Sequence, residues 1–178
     1  MDPIDRVSGL CLIPNFITDA EERELIASVD ACEWNTSLKR RTQHYGFTYD
    51  YKSKSAIQVA SPMPRWCDFL IDRLSILKTR PDQLIVNEYQ PGQGISPHVD
   101  SPSSFEDGIV SVSLGSDIIM DFTSPSGEMH SIILPRRSVL SLHRAARYEW
   151  KHGIASRKTD NGVKRGRRIS LTFRKVKL

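Results

Sequence analysis

From Leu84 onward the chain breaks into short apolar runs separated by turn signals, and this punctuation constrains the fold more than any other feature. Leu84–Tyr89, Ile109–Leu114, Asp117–Phe122, His130–Leu134, Val139–His143 and Ile169–Val176 read as strands. Between them stand Pro-Gly, Gly, Ser-Pro-Ser-Gly and Pro-Arg-Arg breaks, the residues that supply tight turns. Several short strands at such spacing predict a sandwich or barrel, the class that holds jelly rolls and cupins.

The N-terminal third has a different period. Thr18-Asp19-Ala20-Glu21 fits a capping box, in which hydroxyl and carboxylate each satisfy a backbone N–H of the other residue. It predicts a helix from Asp19 to about Val29 with Leu25, Ile26 and Val29 inward. A second helix is expected from near Pro64, because Trp66, Phe69, Leu70, Leu74 and Leu77 recur at helical spacing. Between them, Leu38 to Ser55 reads as loops or short strands, with Gly46 as a break. The expected fold is therefore α+β but mainly β: one domain over residues 1–178, two N-terminal helices packed on a double-sheet core.

Bulk properties narrow the setting. Of the 178 residues 39% are hydrophobic and 26% charged, which is ordinary for a globular chain with a real core. No apolar run approaches membrane-spanning length, and the mixed charges and prolines of the first fourteen residues argue against a secretory signal. Cys11, Cys32 and Cys67 are odd in number and widely spaced, which disfavours a disulfide framework and points to reduced thiols in the cytoplasm or nucleus. The net charge of +4 is unevenly spread: Lys39-Arg40-Arg41 is one basic knot, and Arg157 to Lys177 holds a single acid, Asp160. Such clusters can pair with phosphates or can be a solvated face.

His98 and Asp100 are two apart, so on a strand both point to one side. With His152 they make two imidazoles and a carboxylate, the donor set that holds one face of a non-haem Fe(II) and leaves the other open. Gly153 can end the preceding strand and turn His152 inward. His44, His130 and His143 have no partners at ligand spacing. The last strand alternates: Arg168, Ser170, Thr172 and Arg174 share one face, Ile169, Leu171 and Phe173 the other. Guanidiniums on an inward face need anionic partners, and a dicarboxylate suits them because arginine grips carboxylates bidentately. Asn87 and Tyr89 alternate likewise and can donate to a carboxylate, just ahead of the tight turn Pro91-Gly92-Gln93-Gly94.

Taken together, Asn87-x-Tyr89, the run from Pro91 to Asp100, Ser113-Leu114-Gly115, His152-Gly153-Ile154 and Arg168 to Arg174 resemble the AlkB family from about Leu10 to the end. That resemblance implies a double-stranded β-helix and an Fe(II)- and 2-oxoglutarate-dependent dioxygenase of nucleic acids, with O2 as oxidant. It places His98, Asp100 and His152 on iron, Arg168 on the distal carboxylate of 2-oxoglutarate, and Asn87, Tyr89, Ser170 and Arg174 about the same co-substrate. Ser170 departs from the Asn of the bacterial repair enzyme, and Pro102 stands where that enzyme has an acid that contacts the damaged base.

Phe105-Glu106-Asp107, the run Ile109 to Ser116 and Leu134 to Ser138 resemble the branch that hydroxylates a modified wobble uridine, so RNA, and tRNA in particular, is expected ahead of DNA. That branch carries further domains, so other domains or subunits are expected to help deliver tRNA. Oxidative demethylation of alkylated bases and a non-catalytic RNA-binding module of the same fold are the competing readings. Lys39, Arg40, Arg41, Gln43, His44, Tyr45, Phe47, Tyr49 and Tyr51 mix cations with stacking rings and are expected to form a substrate lid, with Arg40, Arg41, His44 and Tyr45 as its contacts. A Tyr-rich ribbon packed on the core is the alternative.

Overall fold

The structure, a computed structural model, describes residues 3–50 and 55–177, without the side chains of residues 3, 48–50 and 55–60. A 3-10 turn at Pro3–Arg6 leads to β1 (Leu10–Ile13), α1 (Asp19–Asp30), β2 (Thr42–Asp50) and β3 (Ser55–Ser61). A second 3-10 turn at Arg65–Cys67 runs into α2 (Asp68–Arg73), followed by β4 (Gln83–Tyr89), β5 (Ile95–His98), β6 (Ile109–Leu114), β7 (Ile118–Thr123), β8 (Met129–Leu134) and β9 (Val139–Leu142). After α3 (Arg144–Tyr148) come β10 (Lys151–Ile154), the small hairpin β11 (Thr159–Asp160) and β12 (Val163–Lys164), and β13 (Arg168–Arg174).

Two antiparallel sheets face each other. The larger has the order β1-β9-β6-β13-β4-β2-β3 and the smaller β5-β10-β7-β8. The larger sheet is covered on both faces, and its alternation sorts the side chains. Ile169, Leu171 and Phe173 of β13 join Leu84, Val86, Val110 and Val112 in a core completed by Leu25 and Val29 of α1 and Leu70 of α2. Opposite, between the sheets, Phe122, Ile132, Leu134, Leu140, Leu142 and Trp150 form the second core. This is a jelly-roll layering with the helices leaning on one side, in keeping with the strand spacing.

The cap at α1 is built as its sequence requires. Glu21 N–H donates to Thr18 Oγ1 at 3.2 Å and Thr18 N–H to Glu21 Oε2 at 2.8 Å. The second helix is shorter than its periodicity predicts: residues 65–67 wind as 3-10, and α2 ends at Leu74, whose ψ of 48° leaves the helical region. The apolar spacing is a packing signal, since Leu70 and Leu74 are buried and Trp66, Phe69 and Leu77 pack against the same core. The stretch after Leu38 holds a nine-residue strand, β2, with register shifts beside Gly46.

One buried acid fastens the helical layer to the β-core. Glu22 is 1% exposed and accepts from Gly115 N–H at 2.8 Å and from the Arg136 guanidinium. Gly115 turns β6 into β7 at φ +87°, where a Cβ would lie 2.5 Å from the Arg167 carbonyl oxygen. Burial pushes the Glu22 pKa up, but Arg136 and the Gly115 N–H outweigh it and hold the carboxyl below its usual range. Glu22→Gln is therefore expected to cost on the order of 2 kcal/mol near neutral pH, read as a lower urea midpoint at unchanged slope. The native carboxyl is depressed, so its contribution is present above the ordinary value of 4.5 and fades as pH falls through and below it. The gap between variant and wild type should close in acid; a constant gap would show that the charge is not the source.

Candidate active site

β5 is a short edge strand whose position depends on a close backbone approach. A Cβ on Gly94 would lie 2.1 Å from the Ile154 carbonyl oxygen, so only glycine lets the turn before β5 lie against β10. The pairing sets His152 directly opposite His98, with ring centroids 4.5 Å apart. Asp100 follows two residues on, its Oδ1 3.7 Å from His98 Nε2. One donor atom from each of His98, Asp100 and His152 lies within 4.8 Å of the other two. Among the described residues this is the one cluster of His, Cys, Asp or Glu that could hold a metal ion.

The protonation states suit that role. His98 Nδ1 lies 2.9 Å from the Ser96 carbonyl oxygen, which can only accept, so Nδ1 donates there and Nε2 is the nitrogen left to face a metal. Burial, more than any charge, drives the His152 pKa down to about 4, so the ring is neutral near pH 7. Burial alone would raise Asp100, but Arg174, His152 and His98 overcome it and bring the carboxyl to about 2. The set is thus two imidazoles and one carboxylate, a hard-to-borderline donor set that fits Fe(II). Nδ1 of His152 is buried without a hydrogen-bond partner.

A cleft of about 730 Å³ opens beside this cluster, lined by Arg40, Asn87, His98, Asp100, Pro102 and Arg174 among others. Across β13 and β4 the inward residues form rungs: Arg168 faces Tyr89, Ser170 faces Asn87, Thr172 faces Ile85 and Arg174 faces Gln83. Arg168 lies one rung beyond Asn87, about 7 Å along the strand. It is 1% exposed and its guanidinium stands 5.4 Å from the Tyr89 ring centroid. Nη2 donates to Ser113 Oγ at 2.9 Å, while Nε and Nη1 are buried with no partner. Burial pushes its pKa down to about 10. A buried guanidinium with two unsatisfied nitrogens is costly, and a carboxylate delivered by a ligand is the partner that satisfies both. The observed residues therefore fit a dicarboxylate co-substrate as well as an iron ion.

Arg174, expected about the co-substrate, also contacts the metal-ligand cluster. Its Nε and Nη2 each reach an oxygen of Asp100 at 3.1 Å, and Nη1 reaches Gln83 Oε1 at 3.1 Å. It thus orients the carboxylate of the cluster. Ser170 Oγ lies 2.8 Å from Ser111 Oγ in a small hydroxyl relay that includes Thr172. Asn87 Oδ1 accepts from Arg40 Nε at 3.0 Å.

The expected lid divides by alternation. Arg40 lines the cleft, and His44 faces inward on the rung of Ile85, its pKa lowered first by burial and then by Arg174 and Arg40. Arg41 and Tyr45 do not join them, because they fall on the outward phase of the same strand. Arg41 forms a bidentate pair with Glu88, at 2.6 and 2.8 Å, and stacks 4.7 Å over Trp34. Tyr45 donates to Gln43 Oε1 at 3.1 Å and meets the Trp66 ring edge-on, packed on the helix-side core. The side chains of Tyr49 and Tyr51 lie outside the described residues.

Sequence reasoning misses Arg147. It is 1% exposed and donates to four backbone carbonyls: Asp100 at 2.7 Å, Ser101 at 3.1 Å, Phe105 at 3.3 Å and Glu106 at 3.4 Å. It pins the loop that carries Asp100 and the Pro102 lip of the cleft. No signal marks it, because an arginine three residues into a short helix reads as solvent-facing. Arg147→Met should weaken Co(II) binding about 10-fold or more, read by isothermal titration calorimetry, with an unchanged far-UV circular dichroism spectrum. Arg147→Lys should fall between. Equal Co(II) affinity in all three proteins would show that the loop holds its shape without the guanidinium.

Comparison with known proteins adds to this geometry. Residues 9–174 match the model of the 2OG-Fe(II) oxygenase superfamily. The chain is 39% identical to the tRNA (carboxymethyluridine(34)-5-O)-methyltransferase ALKBH8 of Macaca fascicularis, over 95% of this chain but 30% of that protein. It is 37% identical to the uncharacterized protein L905 of Acanthamoeba polyphaga mimivirus, over 96% of this chain and 86% of that one. The DNA N6-methyl adenine demethylase of Caenorhabditis elegans is 28% identical over 96% of this chain and 60% of its own length. The chain thus spans less than a third of the macaque protein. Among solved structures, OsALKBH1 superposes with a TM-score of 0.69 at 19% identity, covering 94% of this chain and 96% of that one, a likeness of fold alone.

Proposed function

The chain belongs to the 2OG-Fe(II) oxygenase superfamily, in the AlkB family and related to ALKBH8, and from that premise we propose that it oxidises a modified base of RNA, the side chain of wobble uridine in tRNA first. Fe(II), 2-oxoglutarate and O2 are the reagents of the family. The observations that carry the reading are the convergence of His98, Asp100 and His152 and, one rung beyond Asn87 of the cleft wall, a buried Arg168 that lacks an anionic partner.

In this reading His98, Asp100 and His152 hold the ion, and Arg174 keeps both Asp100 oxygens aimed. Arg168 pairs with the distal carboxylate of 2-oxoglutarate, with Tyr89, Asn87 and Ser170 along the same face. Bound iron and 2-oxoglutarate supply, with O2, an oxidant for one C–H bond. The chain's own part is placement: the cleft walls decide which carbon stands beside the metal, and placement alone is worth several kcal/mol of barrier. Pro102 at the lip has no acid to accept from the amino group of an adenine or cytosine, and Ser101 and Ser103 flank it. That favours a uridine. The macaque relative is named for acting on carboxymethyluridine at position 34 of tRNA, and 30% of its length is matched by this chain. Residues 1–178 act here as one oxygenase domain, and delivery of tRNA falls to other domains or subunits.

A second reading has a specific support, the likeness to a DNA N6-methyl adenine demethylase. The two differ in product. A hydroxyl placed on a carbon beside an ester stays; one placed on a carbon bound to nitrogen leaves with it as formaldehyde.

Incubation with Fe(II), 2-oxoglutarate and total tRNA from a host lacking this gene, read by nucleoside mass spectrometry, should show one oxygen gained on a modified uridine and succinate formed. Asp100→Ala should abolish both. Arg168→Met should raise the apparent KM for 2-oxoglutarate about 30-fold or more, the loss of roughly 2 kcal/mol of charge-assisted bonding. Formaldehyde with loss of a methylene unit would establish demethylation in its place, and no succinate with any RNA, DNA or protein would leave a binding module.

A further inference from the structure

The basic residues of this chain divide into two sets that composition cannot separate. The arginines of the basic clusters are largely occupied inside the fold. Arg41 and Arg167 both grip Glu88, which is 2% exposed, and Arg167 also holds Asp30. Arg157 and Arg165 share Asp160, and Arg174 holds Asp100. A phosphate would have to compete with carboxylates already in close contact. Lys39, Lys158 and Lys177 are exposed, and among the described residues none has an acid within the 4.0 Å of an ion pair.

Each of these lysines touches a segment that borders the cleft. The turn after β4 is held on one flank by Gln93, whose Nε2 donates to the Lys39 carbonyl at 2.8 Å. On the other flank Gly92 N–H donates to the Arg157 carbonyl at 3.1 Å, and a Cβ on Gly92 would lie 3.7 Å from Lys158 Cγ. Gly94, two residues on, lines the cleft. Elsewhere on the rim Lys177 Nζ donates to the Pro102 carbonyl at 2.7 Å, and Pro102 lines the cleft too. Asp160, the acid nearest Lys158 in the chain, is neutralised by Arg157 and Arg165.

We propose that Lys39, Lys158 and Lys177 form a phosphate track across the cleft mouth, which carries the single strand on either side of the oxidised base. The proposal rests on the nucleic-acid reading above and names the surface that serves it. Lysine suits such a track because it is a compact point charge on a flexible stem and follows a backbone that has no fixed geometry. The cleft between the lips then receives one base drawn from the strand, while the neighbouring phosphates stay outside.

Each phosphate neutralised on a single strand releases a fraction of a counterion, which gives the track a numerical signature. The logarithm of the association constant should fall with the logarithm of salt concentration, with a slope that loses about 0.7 for each lysine removed. The probe is a fluorescent single-stranded RNA of about twelve nucleotides, within the usual footprint of such sites. Its anisotropy is titrated over a salt series with wild type, Lys39→Ser, Lys158→Ser, Lys177→Ser and the triple variant. The triple variant should flatten the slope by about 2. Lys78→Ser is the control: that lysine is exposed beside Cys11 and His143, away from the cleft, and should leave the slope unchanged. Slopes that are equal in wild type and triple variant would overturn the track, as would an equal loss in the control. Displacement of RNA by polyglutamate at matched charge would reassign the surface to acidic polypeptides and overturn it as well. The slopes expected here, found together with no oxidised nucleoside, would sustain the track and sink only the reaction assigned to the cleft.

Discussion

The alternation of β13 governs this molecule. It is the central strand of the seven, paired with β4 on one side and β6 on the other. Its position forbids a solvent face, so each side chain must find a core or a partner. Ile169, Leu171 and Phe173 take the helix side and are 0–1% exposed. Arg168, Ser170, Thr172 and Arg174 are thereby forced between the sheets. A register slip of one residue would exchange the two sets and bury two arginines against leucines, which makes the observed register strongly specified. The candidate co-substrate face is the polar remainder of a strand whose apolar half attaches the helices, so fold and candidate site are specified by the same seven residues.

Polar residues in that interior are not equally satisfied, and the difference has a functional direction. Arg174 has Asp100 and Gln83; Arg147 has four carbonyls; Arg165 has Asp160 and the carbonyls of Ala155 and Arg157. Arg168 has one hydroxyl and an aromatic face. The interior could have supplied a carboxylate there as it did for Glu88, which takes both Arg41 and Arg167. An internal partner would have stabilised the protein and closed the position to an incoming acid. The protein instead retains an under-satisfied cation in its interior, where the binding energy of an incoming dicarboxylate would be concentrated.

Features that depend on period are legible in the sequence, and those that depend on packing partners are not. The strand runs, the capping box at Thr18 and Glu21, and the two faces of β13 follow from local spacing, and the structure has them nearly residue for residue. The convergence of His98, Asp100 and His152 is legible as a pattern; its geometry comes from the pairing of β5 with β10, two four-residue strands, one holding a proline and the other a glycine. Periodicity overstates the second helix because helical spacing also describes a 3-10 turn followed by one and a half helical turns. The lid fails as a single surface for a physical reason. Residues 39–45 are rich in basic and ring side chains in sequence, whereas the alternation of β2 and of the residues leading into it sends Arg41 and Tyr45 outward and His44 inward, and only a known strand phase separates them. Arg147 is invisible in sequence because its partners are backbone carbonyls, which have no sequence signature.

The same strand phase explains how one basic stretch can serve two ends. Arg40 and Arg41 are adjacent, yet one reaches Asn87 in the cleft and the other Glu88 on the helix side, because Asn87 and Glu88 are themselves adjacent on β4 and point oppositely. Arg167 and Arg168 repeat the arrangement on β13's entry: the first joins Glu88 and Asp30 outside, the second turns inward beside Tyr89. Two neighbouring arginine pairs thus straddle one sheet, with the outward members locked on a shared carboxylate and the inward members left on its other face, Arg40 lining the cleft and Arg168 buried against Tyr89. Outward locking removes rotamer freedom from the backbone stretch that also carries the inward guanidiniums, so the cleft is pre-organised by ion pairs on its far side. The charge that a count assigns to a nucleic-acid surface is in large part the fastening of that wall, and the remaining lysines at the rim are what the solvent side has left to offer a phosphate.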